Sequence, residues 1–343
     1  MANVLEIFKN EELINFSQGL GSLNVGTMGD RLFPDRKTKN LKATYLQIAG
    51  RQIPSMAFVH GFDTEAKIGK RPTVEKITVE KFFIKEKINL SELEREYKEN
   101  GVFDSDELKE YIWNDFGRLA QSVKTRAEVA KMELLWNGKI TIKENDLDYV
   151  IGDGLFHGKK TGNWLDPDAD ILGDIRAWRK LGKEQGYTIN RAVTSDDVVA
   201  LMCKNKAIQT LIHSTLGVGT YTDLAAVNGL LSRTFDGFTV EVNDDIYEYD
   251  SGKGGVLTAR YIPNNKFAMY AARPDGTAGA CLWGTTPEER VQGIWTAKSS
   301  QQFITLSGWA TQDPVVEWFK ASGLAVPVMP NTKGQVVADI KLA

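Results

Sequence analysis

The stretch GDGLFHGKKTG at 152–162 holds residue types that a phosphate loop would use. A true loop needs GxxxxGK[ST], so that backbone N–H groups and the lysine cradle phosphate while the hydroxyl meets magnesium. Here Gly154 and Gly158 stand one residue too close, Lys160 occupies the Ser/Thr position, and a poor helix start follows. The stretch reads as a loop, and a nucleotide-binding reading would rest on Lys159. SGKGGV at 251–256 has phosphate-loop composition but lies between two strand candidates, where a hairpin turn is the simpler reading. His60, His157 and His213 are isolated, with no His, Cys or carboxylate at a metal-ligand spacing. Cys203 and Cys281 are far from any CxxC pattern, and no nucleophile motif such as GxSxG is present. Asp166, Asp168 and Asp170 alternate like a calcium loop, but Pro167 interrupts them and no distal Glu follows in register. Asp196-Asp197 and Asp244-Asp245 fit helix caps and turns. No catalytic, cofactor-binding or metal-ligating residue is therefore assigned, and the chain is expected not to be an enzyme and to carry no cofactor.

Composition points the same way. The chain has 343 residues with 42% hydrophobic and 25% charged, the balance of a soluble globular protein with a proper core. No uncharged run is long enough to span a bilayer, and MANVLEIFKNEELINF lacks a basic-then-apolar signal pattern, so no membrane partner and no secretion are expected. A net charge of −3 argues against a dedicated nucleic-acid binder, while leaving passive contact with DNA open. Two cysteines fit a reducing compartment as small core residues.

The element that organises the chain is a helix predicted over 104–137. Asp104 followed by Glu107 makes a capping box, and Asn137-Gly138 is a stop. Leu108, Ile112, Phe116, Leu119, Val123, Ala127, Ala130 and Leu134 hold one face, while Lys109, Asp115, Arg118, Gln121, Ser122, Thr125, Glu128 and Lys131 form a polar face predicted to be exposed or shared with a neighbour. At about 1.5 Å per residue this is a rod on the order of 50 Å long. Before it, residues 1–45 read as an extended arm and 46–62 as a strand broken at Pro54. Residues 64–88 read as a β-ribbon with its tip at Ile68–Pro72, apolar on one side and charged on the other, with Lys81 among the charged positions. SELEREYKEN within 89–103 predicts a short charged helix. After Gly138, KITIKE and LDYVIGD form a strand pair turning at Asn145-Asp146. A helix is predicted from Asp166, as its cap, to Gln185, then a strand over 187–192, then a helix capped by Thr194 that takes in Val198 to Ile208. Strands are predicted at 237–242, 246–249, 256–262 and 266–272, and VVADIKL near the C-terminus alternates as a final strand. The span 166–325 thus reads as an α+β region.

This order of elements resembles that of the major capsid proteins of tailed bacteriophages. Four stretches are similar to the capsid protein E family, to which the phage lambda shell protein belongs. They are EVAKMELLWNGKITI at 128–142, NWLDPDADILGDIRAW at 163–178, YIPNNKFAMYAARPDGTAGACLWG at 261–284, and the C-terminal ATQDPVVEWFKASGLAVPVMPNTKGQVVADIKLA at 310–343. The resemblance implies an α+β tailed-phage capsid fold. It assigns an N-terminal arm (1–45), a P-domain strand segment (46–61), an extended E-loop (62–88), a P-domain (89–165) with its spine helix, an A-domain (166–320) and a C-terminal strand (321–343) returning to the P-domain. It implies a non-catalytic head protein that assembles as hexamers and pentamers into an icosahedral shell around double-stranded DNA. The implied partners are a separate scaffolding protein, a portal, a decoration protein, and packaged DNA touched without sequence preference. The virion is the implied location, with assembly in the host cytoplasm. The alternatives are an encapsulin-type compartment shell and, in another class, a soluble nucleotide-binding enzyme using 152–162; a DNA binder using the basic ribbon is a third.

Overall fold

A computed structural model describes residues 27–48, 50–68, 74–90, 105–217, 219, 221–250, 255–290, 295–297, 303–312 and 315–342. The predicted arm up to residue 26, the short charged helix, the Asp104 capping box and the turns at 69–72 and 251–254 lie outside these residues. The described chain runs α1 (Met28–Leu32), β1 (Asp35–Lys37), β2 (Lys42–Ile48), β3 (Val74–Glu80), β4 (Phe82–Leu90), α2 (Ser105–Asn137), β5 (Ile140–Glu144), β6 (Leu147–Ile151) and β7 (Lys160–Gly162). It continues α3 (Ile171–Glu184), β8 (Arg191–Thr194), α4 (Asp196–Lys204), α5 (Lys206–Leu216), α6 (Leu224–Thr234), β9 (Thr239–Val242), β10 (Ile246–Asp250), β11 (Val256–Arg260) and β12 (Lys266–Tyr270). It closes with β13 (Ala280–Trp283), β14 (Trp295–Ala297), β15 (Ile304–Gln312), β16 (Val315–Val328) and β17 (Gln335–Ile340). Two compact units result, one from the described residues of 1–43, 78–131 and 280–328, the other from those of 44–77, 132–279 and 329–343.

The first unit is built on a six-stranded sheet in which β16 is the hub. β16 pairs antiparallel with β15 along Val315–Gly323, with β4 along Glu317–Ala325 and with β13 along Ala325–Val328; β1 then adds in parallel to β13. The predicted apolar stripe of α2 packs here: Phe116, Leu119, Val123, Ala127 and Ala130 are buried. Phe116 meets Phe319 of β16 edge-on, with ring centroids 5.1 Å apart. This is aromatic packing of the favoured T-shaped kind.

The second unit holds a five-stranded sheet in the order β7-β17-β12-β8-β9, with β7/β17 and β8/β9 parallel and the other pairs antiparallel. α3 to α6 close over it. Their apolar positions Ile171, Ile175, Trp178, Val198, Met202, Ile208, Val227 and Leu231 form one core with Phe267 and Val336. Trp164 stacks on Trp178 at 5.7 Å and meets Phe267 edge-on at 5.1 Å. At the end of α2, Gly138 takes φ +71, and a Cβ there would sit 2.7 Å from the Gly154 carbonyl carbon. The buried Gln335 amide donates to the Leu134 and Leu135 carbonyls, satisfying groups a helix end leaves orphaned.

Several sequence expectations shift. The helix predicted from Asp166 starts at Ile171 with Asp170 as its cap, because Asp170 Oδ1 accepts from Gly173 N at 2.8 Å while Asp166 is used in a turn to Asp168 N. Ser195, not Thr194, caps α4; the Thr194 hydroxyl instead donates across the sheet to the Lys266 carbonyl. The single helix expected through Ile208 is two, broken at buried Asn205. Its side chain caps α5 through Ile208 N and donates to the Pro167 and Ala169 carbonyls, uses that no helix interior permits. The strand over 187–192 is β8 at 191–194. Residues 46–62 do not form one strand: β2 ends at Ile48, and 50–68 has no strand or helix. The ribbon pairs β3 with β2, not with β4, which joins the large sheet. β17 does not alternate in burial. Val336, Val337 and Ala338 are all fully buried, as expected of a strand covered on both faces. Of the span read as one α+β region, 166–279 lies in the second unit and 280–325 in the first, because β13, β15 and β16 share a sheet with β4. The hairpin at Asn145-Asp146 is as predicted, with both residues at positive φ, 50° and 62°.

Candidate functional site

Each motif that could have carried nucleotide or metal chemistry resolves into ordinary structure. After Gly158 the chain enters β7, a strand, so no helix N-terminus faces 152–162 and Lys159 is solvent-exposed. His157 Nε2 lies 2.8 Å from the Lys333 carbonyl, His60 Nε2 accepts from Lys67 N at 3.4 Å, and His213 is half-buried on α5. Asp168 pairs with Lys206 at 2.7 Å, and Asp244 with Arg260 at 2.5 Å while accepting from Asp196 N. Among the described residues, no group of three or more His, Cys, Asp or Glu could hold a metal, and no helix is long and apolar enough to cross a membrane.

Two other features stand out. The first is a clasp in the first unit. α2 was expected to show solvent its polar face, but Asp115, Glu128 and Lys131 are buried. Lys131, 1% exposed, donates to Asp30 at 2.5 Å and to Asp35 at 2.9 Å. Glu128 Oε1 accepts from Gly29 N at 2.6 Å, and a Cβ on Gly29 would fall 2.3 Å from Glu128 Oε2. Segment 27–37 is thus seated on α2 by charge as well as by Leu32 and Phe33, both buried. Burial pushes the Lys131 ammonium down, but the Asp35 and Asp30 carboxylates outweigh it and hold it above its usual range. Burial raises the Glu128 carboxyl, more than Lys131 and the Gly29 N–H lower it. Cys281, paired with Asp35 across β1 and β13, is fully buried, and burial keeps it a thiol. Nearby, Lys81 is also buried, donating to the Thr38 hydroxyl and the Asn40 carbonyl, where sequence alternation had put it on a charged surface. The signal for the clasp was weak: Glu128 and Lys131 flank the apolar Ala127 and Ala130, and only the acids at 30 and 35 reveal why.

The second feature is a strap, residues 50–68, in the second unit. Ile53, Met56, Phe58, Val59, Phe62 and Ile68 are all exposed, Met56, Val59 and Ile68 at 90% or more. Its backbone is tied at Gln52 N to the Gln185 carbonyl, 2.9 Å. Locally, Thr64 donates to the Gly61 carbonyl, and the Lys67 ammonium lies 4.4 Å from the Phe58 ring centre. Such a run of exposed large apolar side chains marks a surface meant to be covered. Sequence reading took part of it for a strand because its apolar content is that of one.

Comparison with known proteins gives the context. The family model described as phage major capsid protein E matches residues 24–338. Among solved structures, a prophage protein of E. coli CFT073 described as a capsid protein superposes with a TM-score of 0.61 at 12% identity, over 97% of this chain and 99% of that one. A phage-related protein from Bordetella bronchiseptica RB50 gives 0.53 at 11% identity, over 96% of each. No curated protein matches the chain.

Proposed function

The chain belongs to the phage major capsid protein E family, a structural and non-catalytic family whose members assemble into shells, and from that premise we propose how this chain takes part in the shell. It forms hexamers and pentamers that close into an icosahedral head around double-stranded DNA, assembling in the host cytoplasm and ending in the virion. Residues 1–45 act as the arm, 62–88 with the adjoining strap as the E-loop, 104–137 as the spine of a P-domain spanning 89–165, and 166–320 as the A-domain, with 321–343 returning to the P-domain. A separate scaffolding protein and a portal take part, a decoration protein binds outside, and packaged DNA is touched without sequence preference.

The observation that carries this reading is the strap. An isolated chain gains nothing by holding six large apolar side chains in water; a neighbouring subunit that covers them does. Replacing 53–68 with a short Gly-Ser linker spares β3 and β4. The variant should fold but fail to form closed particles by negative-stain microscopy. Normal shells from it would refute the reading. Nuclease-protected DNA within particles made in infected cells separates a phage head from a compartment shell.

A further inference from the structure

The second unit carries opposite charge at the two ends of one pair of strands. A cavity of about 540 Å³ on the exposed side of α3 is lined by Arg176, Arg179, Lys180, Lys183, Thr188 and Ile189. Arg176, Lys180 and Lys183 are exposed, while Arg179 is anchored by its Nε to the Ile189 carbonyl at 2.9 Å and lies over the rings of Phe235 and Phe238. Asp236 adjoins Arg179, and Glu184 is exposed near the end of α3; these acids leave a positive excess in the groove. Thr188 and Ile189 lead into β8, and Phe238 leads into β9, so the groove lies where these two parallel strands begin.

The chain leaves the other end of β9 through Asp245 into the hairpin of β10 and β11. That hairpin is a sheet of its own, two strands only. Ile246, Tyr249, Val256 and Leu257 are exposed on it, as are Glu248 and Asp250. Its one arginine, Arg260, is already paired with Asp244. A two-stranded ribbon with exposed apolar residues is marginal in water and gains by being covered. Its acids complement a groove whose walls are lysine and arginine stems tipped with charge.

We propose that the acidic β10–β11 hairpin of one copy docks in the basic α3 groove of the next. The two patches differ and lie at opposite strand ends, so the contact is heterologous, the kind that repeats head to tail and closes into a ring. The inference rests on the capsid reading above and names one of its subunit contacts. A nucleic-acid strand is the less favoured occupant, since the positive groups are confined to one short groove in a chain of net charge −3.

The test uses full-length chains expressed with the phage scaffold. Arg176→Glu with Lys180→Glu should lose capsomers and shells in sedimentation and negative stain while keeping the melting temperature. Glu248→Lys with Asp250→Lys should do the same, and the four changes together should restore assembly. Normal assembly of both reversed variants overturns the proposal, as does a folded four-site variant that stays monomeric. Should a reversal cost the fold, Arg176→Gln with Lys180→Gln decides: capsomers as resistant to added salt as those of the unmodified chain overturn the contact. Unchanged assembly with loss of packaged DNA overturns it in favour of nucleic acid. Failure of the unmodified chain to assemble sinks the capsid reading and this contact together.

Discussion

At Gly29 the absence of a side chain is a requirement of contact, since a Cβ would strike the carboxyl of Glu128. Gly29→Ala should therefore lower stability by about 2 kcal/mol, the usual cost of forcing an extra carbon into a packed site, seen as a lower melting temperature and faster hydrogen exchange in segment 27–37. Lys131→Ala leaves two carboxylates facing a buried gap. Removing one partner of a buried pair costs about 3 kcal/mol, the low end of the range because Asp30 and Asp35 keep some contact with water. Glu128 adds a pH dependence. Its folded carboxyl holds a proton more tightly than the unfolded chain does, with burial as the main cause. Its contribution to stability is thus present at low pH and lost as pH rises from the ordinary carboxylate range through the higher folded value. Glu128→Gln keeps an acceptor for Gly29 N and should flatten that part of the stability profile; an unchanged slope in melts across mildly acidic pH would clear Glu128 of the role.

At the scale of elements, what the sequence made legible was local. The period of α2 placed Phe116, Leu119, Val123, Ala127 and Ala130 inward because side chains four and three apart share a face. Phe116→Ala should cost about 3–4 kcal/mol through the cavity left against Phe319, measured by denaturant unfolding. The turn at Asn145-Asp146 was readable because few residues tolerate a left-handed backbone; Asp146→Gly relieves its φ of 62° and should raise stability by up to about 1 kcal/mol, checked by melting temperature. Partnering across long sequence distance was not legible. Nothing in 74–88 says that β3 pairs with β2 while β4 pairs with a strand more than 200 residues later, because both halves alternate alike. Nothing near Asn205 says that its amide will be claimed by carbonyls at 167 and 169. For the same reason the clasp was misread as a solvent face. The charges that pair with Lys131 come from a segment about 100 residues away.

For the molecule as a whole, function lies in what the isolated chain leaves uncovered. The strap should be the first region cut by protease in the free subunit and should be protected in assembled particles; equal cleavage in both states would mean that no neighbour covers it. The clasp bears on the opposite event, opening. Cys281 sits in β13 directly across from Asp35 of β1, and its backbone N–H donates to the Pro34 carbonyl. A thiol reagent can reach it only after segment 27–37 has come away. Cys203, which is half-buried, shares no part of that clasp and serves as an internal reference. The chain therefore contains its own chemical clock: the ratio of label at the two cysteines counts how often the N-terminal segment leaves its seat, in free subunits and in closed shells alike.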